Sequence, residues 1–137
     1  TITVKTVSGS GVVLPVGSKS LVYSDGTNVS LGLRQQGYVT LNSSTITAYT
    51  AVDGDQIFAN TTANPITVTL PASPAVGSEV TFIDARGTFN SNNLIVNRNS
   101  QPINTGTSNL TLTTNGQAFT LVYVDATRGW AFKANTA

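Results

Sequence analysis

A chain of 137 residues has the length of one ordinary domain, or of one domain with a fragment of a neighbour. It holds no Cys, Met or His, so disulfides, thiolate nucleophiles, Cys/His zinc sites and imidazole acid–base chemistry are excluded. Seven Lys and Arg against six Asp and Glu leave a net charge of +1, no electrostatic footprint for nucleic acid, and no apolar run long enough for a membrane-spanning helix.

Strand signals recur about every ten residues, each closed by turn residues. Thr1 to Val7 places Ile2 and Val4 on one face, and Val12 to Leu14 and Leu21 to Tyr23 follow, separated by Pro15 and Gly17. Asp25-Gly26 is a type I′ turn candidate. Val29 to Gln36 is the one plausible helical turn, weakened by Gly32. Tyr38 to Leu41 and Thr45 to Tyr49 read as a hairpin around Asn42-Ser43-Ser44, and Asp53-Gly54 closes that stretch.

The remainder is more regular. Gln56 to Asn60 and Ile66 to Leu70 are joined across Thr61 to Pro65, and Pro71 and Pro74 forbid continuation. Glu79 to Asp84, Leu94 to Asn97, Leu110 to Thr113, Ala118 to Asp125 and Gly129 to Ala134 are the later strands. Both faces are apolar near Val122, which predicts a strand inside a sheet. Asn115-Gly116 is the strongest hairpin signal in the chain. The expected fold class is all-β.

The composition agrees. Thr occurs 22 times, Ser 13 and Asn 13, against one Glu and three Lys, so strong helix formers are nearly missing from any surface. An uncharged, hydroxyl-rich surface over alternating apolar residues suits a protein working outside the cell. The chain begins at Thr1 and holds no Met, which leads us to expect a processed or excised piece of something longer. Leu21-Val22-Tyr23-Ser24-Asp25 is echoed by Leu121-Val122-Tyr123-Val124-Asp125, as in a chain made of repeated modules.

Candidate chemistry is sparse. Asp53 and Asp55, with Asp25, Asp84, Asp125 and Glu79 elsewhere, invite a calcium or glycosidase reading, but Asp-Gly is ordinary turn chemistry and the spacing is not that of a calcium loop. A nucleophilic Ser would need Lys5, Lys19 or Lys133 as its base, and no motif supports one. Neither enzymatic activity nor any cofactor or metal is expected. Asn-x-Ser/Thr triplets at Asn28, Asn42, Asn60 and Asn109 are about as many as this composition yields by chance. Tyr38, Tyr49, Trp130 and Phe58 are candidates for stacking against a glycan; core packing is the competing reading, favoured for Trp130 and less decided for Tyr38 and Tyr49.

One stretch carries a resemblance. Gly54-Asp55-Gln56-Ile57-Phe58-Ala59-Asn60-Thr61-Thr62, then Ile66-Thr67-Val68-Thr69-Leu70-Pro71-Ala72-Ser73-Pro74-Ala75-Val76-Gly77, continues through Val80 to Asp84, Asn92 to Val96, Leu110 to Leu112 and Leu121 to Tyr123, as far as Trp130. It resembles a module of tailed-bacteriophage tail fibres, tailspikes and related virion appendages, and Ile2 to Thr6 and Leu21 to Asn28 also look like phage fibre sequence.

The resemblance implies an antiparallel β-sandwich-like module over 45–137, preceded by a β-hairpin segment and linker over 1–44. It implies a homotrimer joined to other virion proteins, located in the phage particle, with host surface glycan as a further partner; charge and apolar-run length, not the resemblance, argue against nucleic acid and membrane insertion. Head fibre, capsid decoration protein and carbohydrate-binding module remain open beside the tail appendage. No catalytic residue is carried over.

Overall fold

The computed structural model describes residues 2–5, 11–14, 22–24, 29–31 and 37–133, and among them there are strands and no helix. Two units are distinct, Thr1–Gln35 and Gln36–Ala137. In the first, β1 (Ile2–Lys5) pairs antiparallel with β2 (Gly11–Leu14), and β3 (Val22–Ser24) with β4 (Val29–Leu31). Val29 to Leu31 is thus strand rather than the start of a helical turn: its backbone groups are satisfied by Val22 to Ser24. The Asp25-Gly26 turn, the Pro15 and Gly17 break, Lys19 and residues 32–36 lie outside the described residues.

The second unit holds β5 (Tyr38–Asn42), β6 (Ala48–Thr50), β7 (Gln56–Asn60), β8 (Ile66–Thr69), β9 (Glu79–Asp84), β10 (Leu94–Asn97), β11 (Leu110–Leu112), β12 (Ala118–Asp125) and β13 (Gly129–Phe132). They form a five-stranded sheet in the order β13-β12-β9-β7-β5 and a four-stranded sheet in the order β11-β10-β8-β6. From β5 to β10 the chain alternates between the sheets, so every second strand returns to the same sheet in the same direction. β5, β7 and β9 are therefore parallel neighbours, as are β6, β8 and β10. Antiparallel pairing enters with β11, β12 and β13.

This corrects the expectation of an antiparallel module: both sheets are mixed. Tyr38–Asn42 and Ala48–Thr50 belong to different sheets and form no hairpin, and β11 and β12 likewise part company at Asn115-Gly116. Each of these turns is a corner between sheets. Where the sequence divides the chain after residue 44, β5 pairs along its whole length with β7 and belongs to the second unit. β12 lies between β9 and β13, inside its sheet as its two apolar faces predict.

Alternation along each strand explains the core. Val39, Ile57, Phe82 and Phe119 occupy one inward row of the five-stranded sheet, and Tyr49, Val68, Val96 and Leu110 one row of the four-stranded sheet. The inward residues of both sheets meet in a single hydrophobic cluster, which Ala51, Leu70 and Phe89 join from the corners. Each fully buried Leu, Ile or Phe contributes about 1.5–3 kcal/mol by leaving water.

The winding also sorts the corners into two ends. Residues 43–47, 61–65, 85–93 and 113–117 gather at one, and 51–55, 70–78, 98–109 and 126–128 at the other. At the second end the 98–109 loop covers the outer edge of β13: Trp130 N–H donates to Pro102 O, and Asn104 and Thr105 N–H to Trp130 O and Arg128 O. The approach is close enough that a Cβ on Gly129 would sit 1.8 Å from Pro102 O, so this position with φ +71° admits glycine.

Candidate functional site

The four residues singled out for glycan contact fall in three environments, Tyr38 and Phe58 sharing one. Tyr38 stands on the outward face of β5, 71% exposed, with its ring stacked on Phe58 of β7 at 5.6 Å between centroids. Tyr49 is half-buried in β6, in the other sheet, where its hydroxyl donates to Asp55 Oδ2 at 3.0 Å. Burial and the adjacent Asp55 carboxylate push its pKa up to about 12. Trp130 is 0% exposed, packed edge-on to Tyr123 within the core cluster. With its ring wholly enclosed Trp130 presents nothing to a solvent-borne sugar, which corrects its inclusion. Tyr38 and Phe58 are thus brought together, and Tyr49 and Trp130 are not joined to them.

The carboxylates organise the corners. Asp53 Oδ1 accepts from Glu79 N–H at 2.9 Å, and Asp55 Oδ2 accepts from Val52 N–H at 2.9 Å as well as from Tyr49. With Gly54 at φ +90°, Asp53-Gly54-Asp55 is a turn whose acids fasten the start of β9 and the end of β6. Asp125 Oδ1 accepts from Thr127 and Arg128 N–H in the β12–β13 turn. Glu79 pairs with Lys133 Nζ at 2.8 Å on the surface, so this lysine is held by a carboxylate and not set against a serine. Among the described residues no group of three or more His, Cys, Asp or Glu is placed to hold a metal, and no cavity opens.

Asp84 is the most elaborate of these anchors, and nothing in its sequence neighbourhood announces it. Its Oδ1 accepts from Arg86, Gly87 and Thr88 N–H, and its Oδ2 from Phe89 and from Gly116, far along the chain. Burial works to raise its pKa, but the donors from Gly116, Arg86, Thr88 and Phe89 outweigh burial and hold the carboxyl below its usual range.

Around Asp84 a polar net links the four corners of that end. Buried Ser43 Oγ accepts from Ala63 and Asn64 N–H. Thr61 and Thr88 hydroxyls meet at 2.8 Å, Asn92 Nδ2 donates to Thr62 O, and Asn90 N–H donates to Asn115 Oδ1. The asparagines of three Asn-x-Ser/Thr triplets are likewise structural: Asn42 and Asn60 close local turns, accepting through Oδ1 from Ser44 and Thr62 N–H, and Asn109 Oδ1 accepts from Arg98 N–H at the other end of its loop. Asn28 lies outside the described residues.

The two sheets differ in what they turn outward. On the four-stranded sheet, Ala48, Thr67, Ile95 and Thr111 form one row and Thr50, Thr69 and Asn97 the next, a surface mostly of hydroxyl and amide groups. On the five-stranded sheet, Thr40, Phe58, Ile83 and Ala118 share a row, and Tyr38 leads the next, which continues through Gln56, Thr81 and Thr120. Val122 lies beyond, between Glu79 and Ala131. Sequence reasoning singled out the rings but not this row, because membership depends on the parallel register.

No helix among the described residues is long and apolar enough to cross a membrane. No protein-family model matches the chain, and no curated protein matches it.

Proposed function

We propose that the chain is a structural component of a bacteriophage virion, part of a tail fibre, tailspike or similar appendage that contributes to assembly and host attachment. It acts without catalysis, as a sandwich-like module repeated in a homotrimer and fixed to other virion proteins. The observation that carries this reading is where the phage-like stretch falls in the fold. Framework positions of the winding lie within it: Gly54 and Gly77 take φ +90° and +84° at corners of one end, and Ile57, Ala59, Ile66, Val68 and Leu70 are fully buried between those corners. A motif that encodes frame rather than chemistry suits a building block, and a nearly uncharged, hydroxyl-lined exterior suits display outside a cell.

The test is to raise antibodies against the purified chain and image labelled phage particles by electron microscopy. Label on the tail appendage supports the reading. Label on the head instead moves the chain to a head fibre or capsid decoration protein, and particles that carry none of the chain overturn the reading.

A further inference from the structure

Asn115-Gly116 is the one Asn-Gly pair in the chain, and both residues are exposed at the corner between β11 and β12. In such a pair the glycine nitrogen can attack the asparagine carboxamide carbon, because glycine has no Cβ to stand in the way. The Gly116 N–Cγ bond forms, the Cγ–Nδ2 bond breaks, the proton of Gly116 N–H passes to solvent base and ammonia departs. Water then opens the cyclic imide and leaves an aspartyl or isoaspartyl residue at position 115. The surroundings leave room for this, since nothing stands within 4 Å of where a Gly116 Cβ would be. The two reacting groups are held differently. Asn115 Oδ1 accepts from Asn90 N–H at 2.8 Å, so a donor already polarises the oxygen that gains charge during attack. Gly116 N–H donates to Asp84 Oδ2 at 3.0 Å, which engages the proton that the attacking nitrogen must lose.

We propose that Asn115 is a site of spontaneous deamidation that the fold withholds, with Asp84 as its latch: the carboxamide is lost only when Gly116 N–H leaves the Asp84 carboxylate. The native bond and the product exclude one another, because the imide nitrogen carries no proton to donate. Asp84 is not the base of this reaction. A carboxylate held below its usual range by backbone donors is a poor acceptor of a full proton. Its negative charge also opposes the anion that forms on the nitrogen as the proton leaves. Asp84 is thus a positioning residue, which acts on Asn115 through the Gly116 nitrogen. Each parting of the corners at 84–89 and 115–116 gives the reaction its chance, and the reaction runs one way. The isoaspartyl product adds a carbon to the backbone and sets a second carboxylate near that of Asp84, so the corners cannot close again as before. The extent of conversion therefore records how often these corners have opened. The latch stands apart from the proposed function, since it rests on these corners alone.

The experiment follows deamidation of the full chain at neutral pH by mass spectrometry of the tryptic peptide 99–128. Asn99, Asn104 and Asn109 of that peptide precede Ser100, Thr105 and Leu110 and serve as internal references. Wild type is compared folded and unfolded in guanidinium, and Asp84→Asn and Ser43→Ala are compared folded, with circular dichroism to establish the fold. An asparagine at position 84 has one acceptor oxygen, and with that oxygen turned to the three donors of residues 86–88 it meets Gly116 with its NH2 group. Ser43→Ala loosens the same end without touching Gly116. Two results together bear the inference out: conversion at Asn115 about tenfold or more slower in folded than in unfolded wild type, and about fivefold or more faster in Asp84→Asn than in folded wild type or Ser43→Ala. Equal rates in folded and unfolded wild type overturn it. A slower rate in Asp84→Asn makes the carboxylate the base and overturns it too, and equal acceleration by Ser43→Ala overturns the part given to Asp84. Should Asp84→Asn fail to fold, exchange of the Gly116 amide hydrogen in wild type, read by NMR, decides. Slow exchange at this exposed amide supports the latch, and exchange at the rate of an unstructured chain overturns it.

Discussion

Asp84 illustrates how one acid in a charge-poor chain fixes local structure. Its carboxylate gathers five backbone N–H groups from residues 86–89 and 116, tying the β9–β10 corner to the corner before β12. The native state favours the ionised form, so folded Asp84 titrates below its unfolded counterpart, whose pKa is about 3.9. Stability from this group is therefore fully present above that unfolded value and is lost as pH falls through the lowered folded value. Asp84→Asn is expected to cost about 2 kcal/mol at neutral pH and to flatten the acid limb of the stability profile, as read by urea unfolding between pH 2 and 7. Tyr49 gives the opposite limb. Its folded pKa of about 12 stands above the ordinary 10, so its contribution is complete below pH 10 and disappears as pH rises through 12. Tyr49→Phe removes that alkaline dependence and costs about 1 kcal/mol at neutral pH, since Asp55 keeps the Val52 donor. An absorbance titration with parallel unfolding curves checks both.

Elements were far more legible than their partners. Gln56–Asn60, Glu79–Asp84 and Leu94–Asn97 coincide with the segments that alternation predicts, because alternation reports which face is buried. It does not report which sheet receives the strand. Asn115-Gly116 shows why turn chemistry misled: Gly116 takes φ +72° as a hairpin glycine does, yet its N–H goes to Asp84 and Asn115 Oδ1 takes the Asn90 N–H. Those bonds bind one corner to another and steer β12 into the opposite sheet. Likewise Asn42-Ser43-Ser44 reads as a hairpin loop until Ser43 is seen accepting from Ala63 and Asn64 in the next winding. The rings of Tyr38 and Phe58 stand out in the sequence by type and adjoin in the fold, while Asp84 was illegible as an anchor because its donors include one brought by a distant segment. Ser43→Ala removes the buried acceptor of two N–H groups whose own residues, Ala63 and Asn64, are exposed, and about 1 kcal/mol of destabilisation is expected. Ser43→Thr, which keeps the oxygen, should restore part of it. Equal loss in both variants would show that corner packing, not the hydroxyl, matters there.

At the scale of the molecule, alternation between sheets makes the second unit a closed set of mutual dependencies. Each inward row joins strands separated by a strand of the other sheet, as in Val39, Ile57 and Phe82, so no winding completes its pairing until the next has formed. Such non-local pairing gives little partial stability, and a single cooperative transition is expected. Among the described residues, those of the core cluster run from Val39 to Phe132, inside Gln36–Ala137. A fragment of residues 36–137 therefore carries every residue of that cluster and should fold without the first unit. Its urea transition is expected to be single, with a slope in proportion to its shorter chain and near-ultraviolet dichroism from the enclosed Trp130 as in the full chain. A fragment lacking that aromatic signal, or melting over a broad range, would mean that the first unit supplies packing the second cannot do without.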